Sequence, residues 1–281
     1  MTPTNTTKLN AVIGYPLTHS QSPLLHTSAY EQLEIDAIML AFPNEDIVPL
    51  IHTIRTLPIH LTAVTIPHKE AIMKYLDVID GDAQKIGSIN TVINRRGVLH
   101  GYNTDVIGIQ EAFKEVDMQD KQVLIIGAGG AAKAAAWVVK KNGGYLSYLN
   151  RTEEKASSLQ KHFGGEVLTQ DSTQTKTFDI IMNTTPMGMY PDINETPLEN
   201  FLFSSHQLVF DCVYNPRETR LLREAKERGA KTISGIDMFL EQAFAQIHIW
   251  TGEEISEKIK IRLKEITKNY LILREPLETH L

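Results

Sequence analysis

The chain has 281 residues, with 34 acidic and 28 basic side chains and a formal net charge of −6. That balance argues against sequence-independent nucleic-acid binding, which needs a basic surface, and no apolar run approaches the roughly 20 residues that span a bilayer. A hydrophobic fraction of 42% supplies a core for one large or two medium domains, and 22% charged residues is ordinary for a soluble protein.

The opening stretch Met1–Thr7 is polar and Thr-rich and lacks the apolar core of a secretory signal. Strands are expected at Asn10–Ile13, Ala37–Ala41, Leu61–Thr65 and Thr91–Asn94, with helices between them near Leu24–Leu33, Ile47–Leu57 and Lys69–Leu76. Such alternation makes βαβ units and favours a parallel sheet covered on both faces. After Gly101 a new register begins. Asp105–Val116 places Ile109, Ala112, Phe113 and Val116 at helical spacing, and Gln122–Ile126 is an apolar run of strand length. Further strands are expected at Tyr145–Leu149, Ile180–Met182, Leu208–Phe210 and Thr232–Ser234, and long helical patterns at Met238–Thr251 and Glu254–Leu271. There is no Gly/Ser linker, so the passage through Asn103–Asp105 reads as a short, structured crossing.

The lone cysteine, Cys212, allows no intramolecular disulfide and points to a reducing, cytoplasmic compartment. The ten histidines are scattered without ligand spacing, so no metal site is expected.

Gly127-Ala128-Gly129-Gly130-Ala131-Ala132 follows a strand and opens a helix over Ala131–Lys140. This is the dinucleotide pattern. Gly127 permits the tight turn, Gly129 lets a pyrophosphate approach the backbone, and Ala132 allows close helix–strand packing. The helix N-terminus adds free N–H groups and a positive dipole end. NAD-preferring sites carry an acid about 20 residues on. Here the next strand ends in Asn150-Arg151-Thr152, with Lys155 one turn further. A guanidinium fork suits a phosphate, so NADP(H) is favoured over NAD(H). The plainer reading makes Arg151 and Lys155 solvated charges at a helix start.

Several blocks resemble shikimate dehydrogenases. The segment Gly14-Tyr15-Pro16-Leu17-Thr18-His19-Ser20-Gln21-Ser22-Pro23 is similar to their opening signature, and Val64-Thr65-Ile66-Pro67-His68-Lys69-Glu70 to their V-T-x-P-x-K-E block. Gly87–Thr91, Gly101–Asp105, the glycine turn, the Asn-Arg-Thr turn, Asn183–Met189 and Gly235–Met238 with Gln242 follow in the family's order and cover nearly the whole chain. The resemblance implies reversible, NADPH-dependent reduction of 3-dehydroshikimate to shikimate, on the route to chorismate and the aromatic amino acids. It implies an α/β fold of two domains with the active site in the cleft between them. A substrate-binding domain would hold 1–104 and 241–281, and a Rossmann-type NADP-binding domain 105–240.

It also implies roles. Lys69 and Asp105 form the catalytic dyad, and Asp105 also accepts a bond from a substrate hydroxyl. The ammonium suits the chemistry, because hydride addition to a ketone leaves an alkoxide that needs a proton. Ser20 and Ser22, helped by Tyr214, bind the substrate carboxylate; in an extended loop their period-two spacing puts both side chains on one side. Thr65, Asn90 and Gln242 contact ring hydroxyls. Gly127, Ala128, Gly129, Gly130 and Ala131 cradle the pyrophosphate, and Asn150, Arg151, Thr152 and Lys155 surround the 2′-phosphate. Asn183–Met187, Cys212 and Gly235 line the nicotinamide side, although a small buried thiol is an equal reading of Cys212. Read without the resemblance, Lys69 is a surface lysine, Asp105 a helix cap, and Ser20 or Ser22 the cap before Pro23.

The chain departs from the pattern at Ala63, where many relatives have Asn, at His68, where an aromatic ring is common, and at Asp237, where Gly is frequent. His68 reads most simply as a ring filling an aromatic slot. Among rival readings, a quinate/shikimate dehydrogenase would alter the serine pair or the Asn-Arg-Thr turn, and both are present. Glutamyl-tRNA reductase needs an N-terminal nucleophilic cysteine, and none precedes Cys212. A non-catalytic NADPH sensor would have no need of the Lys69–Asp105 pair or the serines. The expected partner is a small-molecule substrate, with no nucleic acid and no membrane, in a monomer or homodimer.

Overall fold

The computed structural model describes residues 2–272; Met1 and residues 273–281, the latter assigned above to the first domain, lie outside the described residues. The chain divides into two compact units, Met1–Thr104 with Gln242–Leu281, and Asp105–Glu241.

The first unit runs β1 (Lys8–Gly14), α1 (Ser22–Gln32), β2 (Ala37–Pro43), α2 (Ile47–Thr56), β3 (Ile59–Val64), α3 (His68–Ala71) with a 3-10 turn at Ile72–Tyr75, β4 (Val78–Ile79), α4 (Gly81–Ile86), β5 (Thr91–Arg95) and β6 (Val98–Tyr102). Its sheet has the order β2-β1-β3-β5-β6-β4. The parallel sheet favoured by the βαβ alternation holds only in part. β1 lies parallel to β2 and β3, but β5 runs antiparallel to both β3 and β6. The cause is local. β5 and β6 are joined through Arg96 and Gly97, both at positive φ (55° and 89°), which is the two-residue turn that matches strand twist in a hairpin.

α2 buries Ile47, Leu50, Ile51 and Ile54, one helical stripe, against Ala11 and Ile13 of β1 and Ile72. Asp46 caps it by accepting from the Val48 N–H at 2.9 Å. Beneath α1, the register between β1 and β3 slips between Leu9 and Ala11, so that Asn10 opposes two residues. The buried Asn10 side chain fills the gap. Its Oδ1 accepts from the Leu61 N–H at 2.9 Å, and its Nδ2 donates to the Tyr30 hydroxyl of α1, also at 2.9 Å.

The second unit runs α5 (Asp105–Ala112), β7 (Gln122–Ile126), α6 (Gly130–Lys141), β8 (Tyr145–Leu149), α7 (Glu153–Phe163), β9 (Glu166–Leu168), α8 (Gln170–Thr173), β10 (Ile180–Asn183), β11 (Leu208–Asp211), α9 (Arg220–Glu227), β12 (Lys231–Ser234) and the start of α10 (Gly235–Thr251). α11 (Glu257–Ile272) follows in the first unit. The sheet order is β12-β11-β10-β7-β8-β9, with every pairing parallel. Order therefore reverses between β7 and β10, and in open α/β sheets ligands sit outside the carboxyl ends of the strands at that point. Alternate residues of β7 explain its unbroken apolar run. Val123 and Ile125 join the core that contains α6, while Leu124 and Ile126 join the core that contains α9.

Candidate active site

In the first unit the residues of interest gather at the ends of β1, β3 and β5. Lys69, half-buried, stands in the single turn α3, and its backbone carbonyl accepts from the Ile89 N–H at 2.7 Å. His68 does more than fill an aromatic slot. Only 2% of it is exposed, and its Nε2 lies 2.7 Å from the Asn44 carbonyl after β2. A carbonyl only accepts, so Nε2 carries the proton and the ring ties the α3 turn to the loop beyond β2. Thr65, just past β3, takes its place through its N–H, which donates to the Ile13 carbonyl at 2.9 Å.

The serine pair is not placed by strand alternation. Gln21 between them, at φ −93° and ψ 0°, is the N-cap of α1 and makes no side-chain cap bond. The bent backbone instead turns the Ser22 N–H toward Ser20 Oγ at 3.4 Å. Neither serine is the cap residue of the helix.

Asn90 is buried and fully engaged. Its Oδ1 accepts from the Thr104 N–H at 2.7 Å and the Thr91 hydroxyl at 2.8 Å, while Nδ2 donates to Thr104 Oγ1 at 2.9 Å and Gln242 Oε1 at 3.3 Å. Asn90 Nδ2 thus meets the Oε1 end of the Gln242 amide. The same contacts, with Asn103 Nδ2 donating to the Ser88 carbonyl at 2.8 Å, hold the crossing before Asp105.

Sequence reasoning passed over a buried chain beneath these groups. His26 in α1, one turn after Ser22, has Nδ1 3.0 Å from the Ser22 carbonyl and Nε2 3.0 Å from Gln246 Oε1. Gln246 Nε2 then donates to the Asn90 carbonyl at 3.2 Å. Only an imidazolium could donate in both directions. Burial lowers the His26 pKa to about 4, so at neutral pH the ring holds one proton and serves one of the two acceptors. The available signal was spacing: His26 shares a helix face with Ser22, and Gln246 with Gln242.

In the second unit Gly127 leaves β7 at φ +108°, and a Cβ there would come within 2.6 Å of Thr184 Oγ1 and 3.0 Å of Thr185 Cγ2. Only glycine meets both demands. A Cβ at Gly129 would meet nothing within 4 Å, and Gly129 is the N-cap of α6 without a side-chain cap. The backbone is thus open to a bulky anionic ligand at a free helix start, which fits a pyrophosphate; Ala128, Gly130 and Ala131 complete this turn. At the end of the adjacent β8, Asn150 Nδ2 donates to the Thr152 carbonyl at 2.8 Å. The side chains of Arg151, Thr152 and Lys155 are exposed around the start of α7. Arg151 makes no ion pair among the described residues.

Asp105, 3% exposed, lies in the first turn of α5, where the helix dipole favours a carboxylate. Tyr214 stacks on Phe239 with ring centroids 4.3 Å apart. Gly235 packs so closely on the Cys212 carbonyl that no side chain fits there, and Cys212 Sγ lies 3.9 Å from the Thr185 carbonyl. Another omission of the sequence reading stands beside them. Asp211 is fully buried at the end of β11, where desolvation raises its pKa to about 7 despite donors from Thr219, Val213 and Asn183. No helix among the described residues is long and apolar enough to cross a membrane, and no His/Cys/Asp/Glu group of metal-binding size occurs among them.

The chain matches two family models, a shikimate dehydrogenase substrate binding domain over residues 12–92 and a shikimate / quinate 5-dehydrogenase over residues 109–226. It is 42% identical over 260 residues to a shikimate dehydrogenase (NADP(+)) of Methanococcus maripaludis, covering 88% of this chain and 92% of that protein. A crystal structure of a shikimate dehydrogenase in complex with NADP+ superposes with a TM-score of 0.86 at 38% identity, covering 96% of each chain. The shikimate 5-dehydrogenase of Thermus thermophilus, in complex with NADP(H) and shikimate, gives 0.83 at 31% identity, covering 93% of this chain and 99% of that one.

Proposed function

The chain belongs to the shikimate dehydrogenase family, and on that premise we propose that it catalyses the reversible NADPH-dependent reduction of 3-dehydroshikimate to shikimate, with Lys69 and Asp105 as the proton-transfer pair. The observation that carries this reading is similarity across both units at once, joined to a glycine cradle at the switch point of the second sheet.

The bound dinucleotide supplies the hydride. Lys69 stabilises the charge that develops on the carbonyl oxygen and delivers the proton to it. Asp105 holds the ammonium in place and accepts a bond from a neighbouring hydroxyl. Lys69 belongs to the first unit and Asp105 to the second, so the dyad is a proposal about the pair during turnover. Ser20 and Ser22 offer hydroxyls to the substrate carboxylate, with Tyr214 beside them. Thr65, Asn90 and Gln242 address ring hydroxyls, and Asn90 Nδ2 donates to Gln242 Oε1. The residues Gly127 to Ala131 receive the pyrophosphate and Asn150, Arg151, Thr152 and Lys155 the 2′-phosphate. Asn183–Met187, Cys212 and Gly235 flank the nicotinamide. Residues 1–104 with 241–281 form the substrate domain and 105–240 the NADP domain. The lone cysteine and the substrate class support a cytoplasmic setting, and the assembly we propose is a monomer or homodimer.

Because the second family model also names quinate, the deciding test offers shikimate or quinate against NADP+ or NAD+ and follows the reduced-nicotinamide absorbance. Turnover confined largely to shikimate with NADP+ supports the serine and Arg151 assignments together. Comparable turnover with quinate or NAD+ moves the chain to the broader class. Folded protein that binds NADPH and turns over none of the pairs overturns the enzymatic reading.

A further inference from the structure

Asp211 carries a carboxylate with no side-chain cation among its partners, which are Asn183, Val213 and Thr219. Burying a carboxylate with no cation beside it costs stability. Oδ1 accepts from Asn183 Nδ2 at 2.9 Å and from the Val213 N–H at 3.0 Å, and Oδ2 accepts from the Thr219 hydroxyl at 2.7 Å. These three come from three segments: the end of β10, the turn after β11, and the N-cap of α9.

Oδ1 meets two N–H donors and can only accept from them, so it imposes one orientation on the Asn183 amide whether or not Oδ2 carries a proton. With its NH₂ held by Asp211, Asn183 presents Oδ1 outward, where it accepts from the Thr185 N–H at 3.0 Å and the Thr185 hydroxyl at 2.7 Å. Thr185 Oγ1 in turn accepts from the Met187 N–H at 3.2 Å, and the segment closes at Gly188 with φ +83°. The relay from Asp211 through Asn183 to Thr185 and Met187 sets the backbone of the Asn-Thr-Thr-Pro-Met-Gly loop. The Val213 branch sets the turn that presents Cys212 and Tyr214.

We propose that Asp211 is a positioning residue, whose Oδ1, accepting from Asn183 and Val213, fixes the two loops that receive the nicotinamide end of the cofactor and has no part in holding the adenine end. This rests on the dinucleotide reading above. The adenine-end residues Asn150, Arg151, Thr152 and Lys155 follow β8, and none of them figures in the Asp211 relay.

The test compares Asp211→Asn with wild type in titrations against NADPH and against 2′,5′-ADP, which carries the 2′-phosphate but no nicotinamide. An Asn at 211 can turn its own NH₂ toward Asn183 and release that amide. The expected result is a dissociation constant for NADPH raised at least ~10-fold, the scale of one lost charge-assisted hydrogen bond, with that for 2′,5′-ADP within about twofold. Equal weakening of both ligands, or of neither, overturns the proposal. Thr185→Val breaks the same relay near its outer end at a partly exposed position, and decides the matter if Asp211→Asn does not fold. It should weaken NADPH selectively, and unchanged NADPH affinity overturns the proposal. Wild-type protein that fails to bind 2′,5′-ADP overturns the underlying cofactor reading at the first arm.

Discussion

Replacing Arg151 by alanine should separate the two nicotinamide cofactors. The Arg151 side chain is exposed at the start of α7 and makes no ion pair or hydrogen bond among the described residues, so its removal breaks nothing in the fold. What it would remove, under the proposed 2′-phosphate assignment, is a charge-assisted contact to a phosphate, typically ~1.5–3 kcal/mol. Glu153 and Glu154 in the same first turn would face that phosphate once the guanidinium is gone. Solvent screening at an exposed site pulls in the other direction. The lower half of the range follows, roughly a 10- to 50-fold rise in the dissociation constant for NADPH. NADH, without the 2′-phosphate, should bind Arg151→Ala and wild type alike to within about twofold, and the melting temperature should not move. Fluorescence titration with both cofactors, repeated at higher salt, reads this directly. An equal loss for NADPH and NADH would refute the 2′-phosphate assignment, as would no loss for either.

Lys69→Ala should lower kcat by ~10²- to 10⁴-fold, the usual worth of a general acid, while KM for shikimate changes little; a raised KM at unchanged kcat would make Lys69 a binding residue only. Asn10→Ala strands the buried Leu61 N–H and Tyr30 hydroxyl and should cost about 2–5 kcal/mol of unfolding free energy by urea titration; a loss below about 1 kcal/mol would show that the bulge relaxes without it. His26 titrates near 4 when folded, against an unfolded value of 6.5. The unfolded chain therefore binds more protons between those values, and the stability His26 contributes above pH 6.5 is lost as pH falls toward 4, up to about 3 kcal/mol. Asp211, raised to about 7, slopes the other way over an overlapping range, so the readout is the difference between wild type and His26→Gln: the acid loss should shrink in the variant, and parallel curves would refute the assignment.

Much of the second unit was legible because each of its signals is local. An apolar run, a glycine turn and a helix rich in alanine are contiguous from Gln122 to Lys141. The first unit hid more. Its sheet reverses direction at β5, and the only trace is the short Arg96-Gly97 turn. The helix expected over Asp105–Val116 ends at Ala112, and that over Lys69–Leu76 passes from α3 into a 3-10 turn. Boundaries of this kind depend on what the last turn packs against, which periodicity does not contain. In the candidate site, the proposed ligand-facing residues come from motifs. Those that hold them, His26, Gln246 and Asp211, were not legible, because each lies outside any motif read from the sequence, and Gln246 stands 220 residues from His26.

That separation has a consequence for how the chain is made. The first unit is closed by α10 and α11, which follow the whole of the second unit in sequence. On the ribosome, residues 1–104 emerge with Asn90 lacking Gln242, and with His26 and Tyr30 lacking Gln246 and Trp250. At typical synthesis rates they wait roughly 7–27 s while Asp105–Glu241 is added. The second unit, continuous in sequence, can complete itself first. A nascent chain stalled before residue 242 should therefore protect the glycine cradle from protease while leaving the serine loop cleavable.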